Sequence, residues 1–257
     1  MLNATVIRRS DISSELIILS VRPDAAVKEF LPGQYVALGL LGSAPRLAPL
    51  PPETEIVVPN NLIKRAYSIC SSPSNRTELE FYIGVLPLGA LTSRVAALKP
   101  GTRLFVSTKI TGTFTLQPVP PQANLVLIAT GTGIAPYMSM LRTSDTWTAG
   151  RHITLVHSVR EGRDLVYLDE LRALAARQSA FTYVPTVTRD DASWQGQRGR
   201  VQKLLETGIL APDPLHDHVF LCGNSQAISE MEASLTGRGF VLRTKTIQGN
   251  IHEERYD

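Results

Sequence analysis

The chain has 257 residues, 43% hydrophobic and 19% charged, a composition that excludes disordered, collagen-like and coiled-coil classes and leaves room for one large domain or two ordinary ones. Its 26 Lys and Arg against 23 Asp and Glu give a net charge of +3, too slight to call for nucleic acid but suited to a small acidic partner. The two cysteines, Cys70 and Cys222, can build neither a disulfide framework nor an iron–sulfur cluster, which takes about four ligands.

The amino terminus, MLNATVIRRSD, lacks the apolar core of a secretory signal. The longest apolar run, residues 35–41 (YVALGLL), falls far short of the ~20 residues of a membrane span. A reduced, cytoplasmic monomer with no membrane or nucleic-acid partner is the expectation.

The first half reads as strands over 15–22 (ELIILSVR), 34–41 (QYVALGLL), 62–70 (LIKRAYSIC), 78–86 (ELEFYIGVL) and 103–109 (RLFVSTK). Clusters of Pro, Gly, Asn and Ser separate them, which predicts an antiparallel sandwich or barrel. A short helix is expected over 92–98 (TSRVAAL), ahead of Pro100-Gly101. Residues 42–61 carry five prolines and read as a long surface loop with an extended strand around 56–58.

Residues 117–124 (QPVPPQAN) read as a linker, and beyond it the pattern changes. Short apolar runs at 125–129, 152–157, 181–187 and 219–222 suit strands buried on both faces. Helical patterns over 135–142, 165–177, 200–206 and 225–235 alternate with them, which predicts a parallel α/β sheet. Residues 240–247 are expected to supply the closing strand.

The segment LVLIATGTGIAP (125–136) runs a buried strand into a glycine turn and then a helix. Backbone N–H groups at a helix start, with glycines that admit a ligand, suit a phosphate. Pro136 stands where a dinucleotide fingerprint has its third glycine, so the fragment by itself equally fits an ordinary strand–helix turn. Two further strands run into Arg160 and Arg189, followed by Arg200. Strand carboxyl ends share one edge of a parallel sheet, so these guanidinium groups are placed to hold a 2′-phosphate. Glu161, just after Arg160, is the acid that an NAD-type site would use on a ribose. Cys222 suits either a small core residue or a lining of the cofactor crevice. Glu254 suits either a proton-handling or positioning group near the reacting ring or an exposed tail acid. His216 and His218 (PLHDH) read as linker rather than metal ligands, and no metal is expected.

In the first half, strand alternation sends Arg65 and Tyr67 to one face and Ser68 to the other. A cation, an aromatic plane and a hydroxyl there fit either a phosphate-bearing aromatic cofactor or a cross-strand Arg–Tyr pair.

Five segments occur in order: RAYS (65–68), EFYIGV (80–85), GALTS (89–93), ATGTGIAP (129–136) and LCGN (221–224). Together they are specific, and over nearly its whole length the chain resembles the ferredoxin–NADP reductase family in its bacterial branch. The resemblance implies an FAD-binding antiparallel β-barrel over 1–117 and an NADP-binding α/β domain over 124–257. It implies that Arg65-Ala66-Tyr67-Ser68 hold FAD, with Arg65 at the diphosphate, Tyr67 on the isoalloxazine ring and Ser68 near its reactive nitrogen. Tyr82, Ile83, Gly84 and Val85 would border the flavin with backbone groups, and Ala90, Leu91 and Thr92 would offer amides to the diphosphate. Thr132 would face flavin and nicotinamide. Val159, Arg160, Thr188, Arg189 and Arg200 would bind the adenosine end of NADP, and Gly223, Asn224, Ser225 and Gln226 would border the pyridine nucleotide. Ser68, Cys222 and Glu254 are the candidate catalytic residues.

Two departures stand out. The proline-rich segment 42–61 is longer than expected for the branch. Where relatives often end in Tyr-Trp, this chain has Arg255-Tyr256-Asp257, so Tyr256 is left to stack on the flavin system, while Asp257 stands at the cofactor in place of an indole that it cannot replace. The implied activity is hydride transfer from NADPH to FAD and single-electron delivery to ferredoxin or flavodoxin. A flavin reductase or oxygenase reductase of the same fold is one rival, and a non-enzymatic flavin-binding redox sensor another. Arg8, Arg9, Arg238, Arg243 and Lys245 are basic residues outside the motifs, and some of them are expected to steer an acidic carrier.

Overall fold

The structure is a computed structural model that describes residues 1–47, 56–86, 88–147, 150–189 and 191–256. It divides into two compact units, Met1–Thr115 with Ala135–Thr143, and Leu116–Ile134 with Ser144–Asp257.

The first unit holds β1 (Ala4–Ser13), β2 (Leu16–Pro23), β3 (Tyr35–Leu41), β4 (Leu62–Ser68), β5 (Leu79–Gly84), the short helix α1 (Thr92–Val95) and β6 (Arg103–Thr111). The strands pair antiparallel in the order β4-β3-β6-β1-β2-β5. Alternating residues such as Ile17, Leu19, Leu38, Phe81 and Leu104 fill the core. Just past β4, Cys70 N–H donates to Glu80 O at 2.8 Å. That bond draws the two edge strands of the sheet together, barrel fashion.

Strand β1 was not expected. Register shifts between Val6 and Arg8 and between Asp11 and Ser13 break its alternation, which hides the period in the sequence. Helix α1 is shorter than the expected 92–98. Past Val95 the bonding tightens to three-residue turns, Ala97 N–H to Arg94 O and Leu98 N–H to Val95 O. Arg9 donates to the carbonyls of Ala96 and Leu98 at 2.6 and 2.7 Å. That largely buried guanidinium caps the helix. Residues 56–58 form no strand: Ile56 is fully exposed, and Asn61 N–H turns back to Val58 O. Much of the rest of the proline-rich segment lies outside the described residues.

Helix α2 (Ala135–Leu141) clusters with this unit, although it follows the glycine turn in the chain. Every residue of it is buried. Ser139 Oγ donates to Ser71 O at 2.8 Å, and Arg142 bridges Cys70 O and Glu80 at 3.1 and 2.7 Å.

The second unit holds β7 (Asn124–Thr130), β8 (Ile153–Val159), α3 (Leu168–Arg177), β9 (Phe181–Val187), β10 (Gln197–Arg198), α4 (Val201–Glu206), β11 (Asp217–Asn224), α5 (Ser225–Thr236) and β12 (Ile251–Tyr256). All six strands run parallel, in the order β10-β9-β8-β7-β11-β12. The closing strand is therefore β12 and not 240–247. Phe240 is buried in the core, while residues 244–247 close a turn through Thr244 N–H to Ile247 O. The sequence of β12, IHEERY, is polar because it is an edge strand, and so it gives no apolar run. His218 lies inside β11, with its Nδ1 3.0 Å from His252 Nε2, and not in a linker. Among the described residues no three His, Cys, Asp or Glu side chains gather as a metal site, and no helix is long and apolar enough to cross a membrane.

Candidate functional site

In the first unit, Arg65 and Ala66 lie exposed on β4, and Ser68 ends the strand buried. Tyr67 is half-buried against the core. Its hydroxyl is fully covered and has no hydrogen-bond partner among the described residues. Burial pushes its pKa up, against the opposing pull of the Arg65 charge. Tyr82, Ile83 and Val85 of the β5 segment are buried, which leaves backbone groups for any ligand contact there.

The chain then turns toward α1. Thr92 Oγ1 donates to Leu86 O at 3.0 Å and accepts from Leu86 N–H at 3.2 Å, so this hydroxyl closes the loop. Beyond Gly89, the first amides to find backbone acceptors are those of Ser93, Arg94 and Val95. Among the described residues the amides of Ala90, Leu91 and Thr92 have no backbone acceptor, so they form the N–H end of the turn. Sequence reasoning missed Arg94. This arginine is 3% exposed and donates to Ala90 O at 2.7 Å and, through Nη2, to Gly42 O at 2.6 Å. Its signal was an arginine leading into the apolar run VAAL (95–98).

In the second unit, the carboxyl ends of β7, β8, β9, β11 and β12 share one edge. Two glycines let β7 and β11 meet there. A Cβ on Gly133 would come within 2.2 Å of Cys222 O, and one on Gly223 (φ +133°) within 2.1 Å of Thr130 Oγ1. Asn224 N–H donates to that same Oγ1 at 3.0 Å. Gly131 is different: its φ is +55°, and a Cβ there would meet nothing within 4 Å. The first glycine serves conformation and leaves open space, and the second serves close packing. Thr132, between them, is half-buried. The segment 131–134 forms a 3₁₀ turn ahead of α2.

The ladder between β11 and β12 pairs Cys222 with Glu254 and Asn224 with Tyr256. Cys222 Sγ–H points to Glu254 Oε2 at 3.8 Å, and Tyr256 donates to the same oxygen at 3.3 Å. Burial, followed by the Glu254 charge, pushes the Cys222 thiol well up, so it stays protonated near neutrality. Glu254 is therefore a residue of β12 beside Cys222 and Tyr256 and not a loose tail acid. Asn224 caps α5 by accepting from the Gln226 and Ala227 amides at 3.1 and 3.2 Å, and the Gln226 side chain is held by Glu230 at 3.0 Å. Ser225 opens that helix. Asp257 lies outside the described residues.

Farther along the edge, Val159 is buried, and Thr188 donates through its hydroxyl to Val159 O at 3.1 Å. Arg189 N–H bonds Arg160 O at 3.0 Å, so both arginines leave the sheet side by side. The Arg189 guanidinium pairs with Glu161 at 3.1 Å, and Arg163 pairs with the same carboxylate at 2.6 Å. Arg200, largely exposed, stands 3.7 Å from Glu230.

A parallel sheet whose carboxyl edge carries a glycine turn and cationic strand ends is the nucleotide-binding half of an oxidoreductase, and the family model of the oxidoreductase NAD-binding domain matches residues 127–233. The flavodoxin/ferredoxin–NADP reductase of Escherichia coli (strain K12) is 33% identical over 221 residues, 84% of this chain and 82% of that one. A ferredoxin–NADP reductase of Pseudomonas aeruginosa is 33% identical over 225 residues, 83% and 81% of the two chains. A ferredoxin NADP+ reductase from Neisseria gonorrhoeae, solved with bound FAD and NADP, shares the fold, with a TM-score of 0.83 at 23% identity over 98% and 97% of the chains. The chain belongs to the flavodoxin/ferredoxin–NADP reductase family.

Proposed function

We propose that the protein is an FAD-dependent oxidoreductase that takes a hydride from NADPH and passes single electrons to ferredoxin or flavodoxin. The observation that carries this reading is the nucleotide edge, where Gly131 leaves open space and Gly133 and Gly223 pack the ends of β7 and β11 together beside the paired Cys222 and Glu254. Bound FAD supplies the hydride acceptance and the release of electrons one at a time.

The residues present fit both groups. For FAD, the covered Tyr67 hydroxyl lacks a partner among the described residues, and Arg65 stands exposed beside it. Arg65, Tyr67 and Ser68, the backbone of 82–85 and the amides of Ala90, Leu91 and Thr92 would hold it. For NADP, Arg160, Arg189 and Arg200 would meet the 2′-phosphate, with Val159 and Thr188 beneath. Thr132 and the 223–226 segment would hold the pyridine end. Cys222, protonated, serves as a neutral wall there, and Glu254 fixes its S–H and the Tyr256 hydroxyl. Glu254 also offers an acceptor near the reacting ring, and Ser68 a hydroxyl on the flavin side. We place Tyr256 against the bound cofactor, in the place of the aromatic pair of relatives. A cytoplasmic location agrees with two buried cysteines that form no disulfide.

Purified protein should be yellow and should bleach on anaerobic addition of NADPH. Rates with ferricyanide should favour NADPH over NADH, and ferredoxin or flavodoxin should replace ferricyanide. The carrier-dependent rate should fall with added salt, because steering is screened over a Debye length of ~8 Å. Colourless protein, or one that reduces no carrier, would overturn the proposal.

A further inference from the structure

Deep in β8, His157 sits between Ala129 of β7 and Pro185 of β9 in the ladders, with no exposed surface. Its Nε2 lies 3.0 Å from the carbonyl oxygen of Gly131, the first glycine of the nucleotide turn. A carbonyl oxygen only accepts, so Nε2 carries the proton and donates. Its Nδ1 is buried and has no partner among the described residues. The imidazole is held neutral, with its pKa lowered to about 4 by burial and the Gly131 carbonyl acting weakly against that. For packing alone a phenylalanine or leucine would fill this space without stranding a nitrogen, so the bond to Gly131 is what distinguishes the histidine.

That bond falls on the residue whose conformation decides the turn. Gly131 is left-handed, at φ +55°, with open space where a side chain would be. Holding its carbonyl inward fixes the peptide that leads into Thr132 and leaves the outer side of the turn clear for a ligand. We propose that His157 is a positioning residue for the nicotinamide nucleotide, anchoring the Gly131 carbonyl so that the 131–134 turn is set before NADP arrives. The proposal rests on the reading of this turn as an NADP contact. His157 itself never touches the ligand. It acts by sparing the turn an ordering cost on binding.

The test compares His157→Phe with His157→Gln in FAD-loaded protein, titrating NADP+ and, separately, 2′-AMP by their perturbation of the flavin spectrum. Glutamine can return an N–H donor near the Nε2 position, and phenylalanine cannot. His157→Phe should raise the Kd for NADP+ about tenfold, equivalent to about 1.4 kcal/mol, and leave that for 2′-AMP within about twofold, because 2′-AMP fills only the adenosine end. His157→Gln should recover most of the loss. NADP+ affinity unchanged in His157→Phe overturns the assignment. Equal losses in both variants, or a matching loss of 2′-AMP binding, overturn it too, since either means general damage to the sheet. Thr132→Ala separates the underlying reading. If Thr132→Ala weakens NADP+ binding while His157→Phe does not, only the role of His157 fails. If neither weakens it, the turn is not an NADP contact and both readings fall. Should His157→Phe not fold, His157→Leu takes its place, and failure of both to yield FAD-loaded protein marks the histidine as structural and overturns the proposal.

Discussion

The Tyr67 hydroxyl is covered and, among the described residues, unpaired, a state that costs about 1–3 kcal/mol when no ligand relieves it. Removing it should therefore have opposite effects on the empty and the loaded protein. Tyr67→Phe is expected to raise the melting temperature of FAD-free protein and to weaken FAD retention. Arg65→Ala, which removes an exposed charge, should leave the FAD-free melting temperature unchanged and weaken FAD by roughly 10- to 150-fold, the equivalent of about 1.5–3 kcal/mol. Flavin content after gel filtration and melting curves of both forms check this, and a fully loaded Arg65→Ala protein would remove the diphosphate assignment. The placement of RAYS at the end of β4 and of the glycine turn after β7 was legible, since both are written in local sequence. Arg94 and His157 were not, because each acts on the carbonyl of a distant or unremarked residue, Gly42 in one case and Gly131 in the other.

The strand ends show how secondary structure sets specificity. Glu161 caps the turn before α3 and holds Arg189 and Arg163 at once, so under the proposed function it would compete with a 2′-phosphate for those guanidinium groups. Glu161→Gln keeps the capping acceptor and removes the charge. The KM for NADPH should fall about fivefold, from a surface interaction of about 1 kcal/mol, while that for NADH stays nearly constant. A rise in the NADPH KM would mean that Glu161 is needed to aim Arg189. Strands buried on both faces, such as β8 and β9, were readable as apolar runs. Strand β1 was lost to its two irregularities of register, and β12 to its polar edge. The position of β12 is set instead by Arg255, which reaches Glu253 and Glu232 at 2.7 and 2.9 Å and Ser229 at 2.7 Å. Such a network spans two elements and leaves no local pattern.

Taken as a molecule, the protein carries two buried neutral histidines in its second unit. His157 has its pKa lowered to about 4 by burial, and His252 to about 3 by burial and the neighbouring charges of His218 and Arg243. The unfolded chain takes up these protons near pH 6.5, and the folded chain takes up neither until near pH 4. Stability should thus fall as pH drops from 6.5 to 4, by about 3 kcal/mol for His157 alone. Melting curves across that range check it: His157→Gln should flatten the slope, and a wild-type curve without slope would contradict the buried neutral state. The division into a barrel-like antiparallel half and a parallel α/β half was readable from the change of hydrophobic period near residue 117. The attachment of Ala135–Thr143 to the first unit was not, because helix periodicity records which face is buried and not what buries it. The interlock of the two strand ends also has a consequence in time. Thr130 meets Asn224 across 94 residues of chain. At about 5–20 residues per second of synthesis, the glycine turn waits about 5–20 s on the ribosome before the strand that completes it exists. Every residue of the first unit, by contrast, lies within the first 143. The nascent protein can therefore assemble its flavin half while its coenzyme half is still being made.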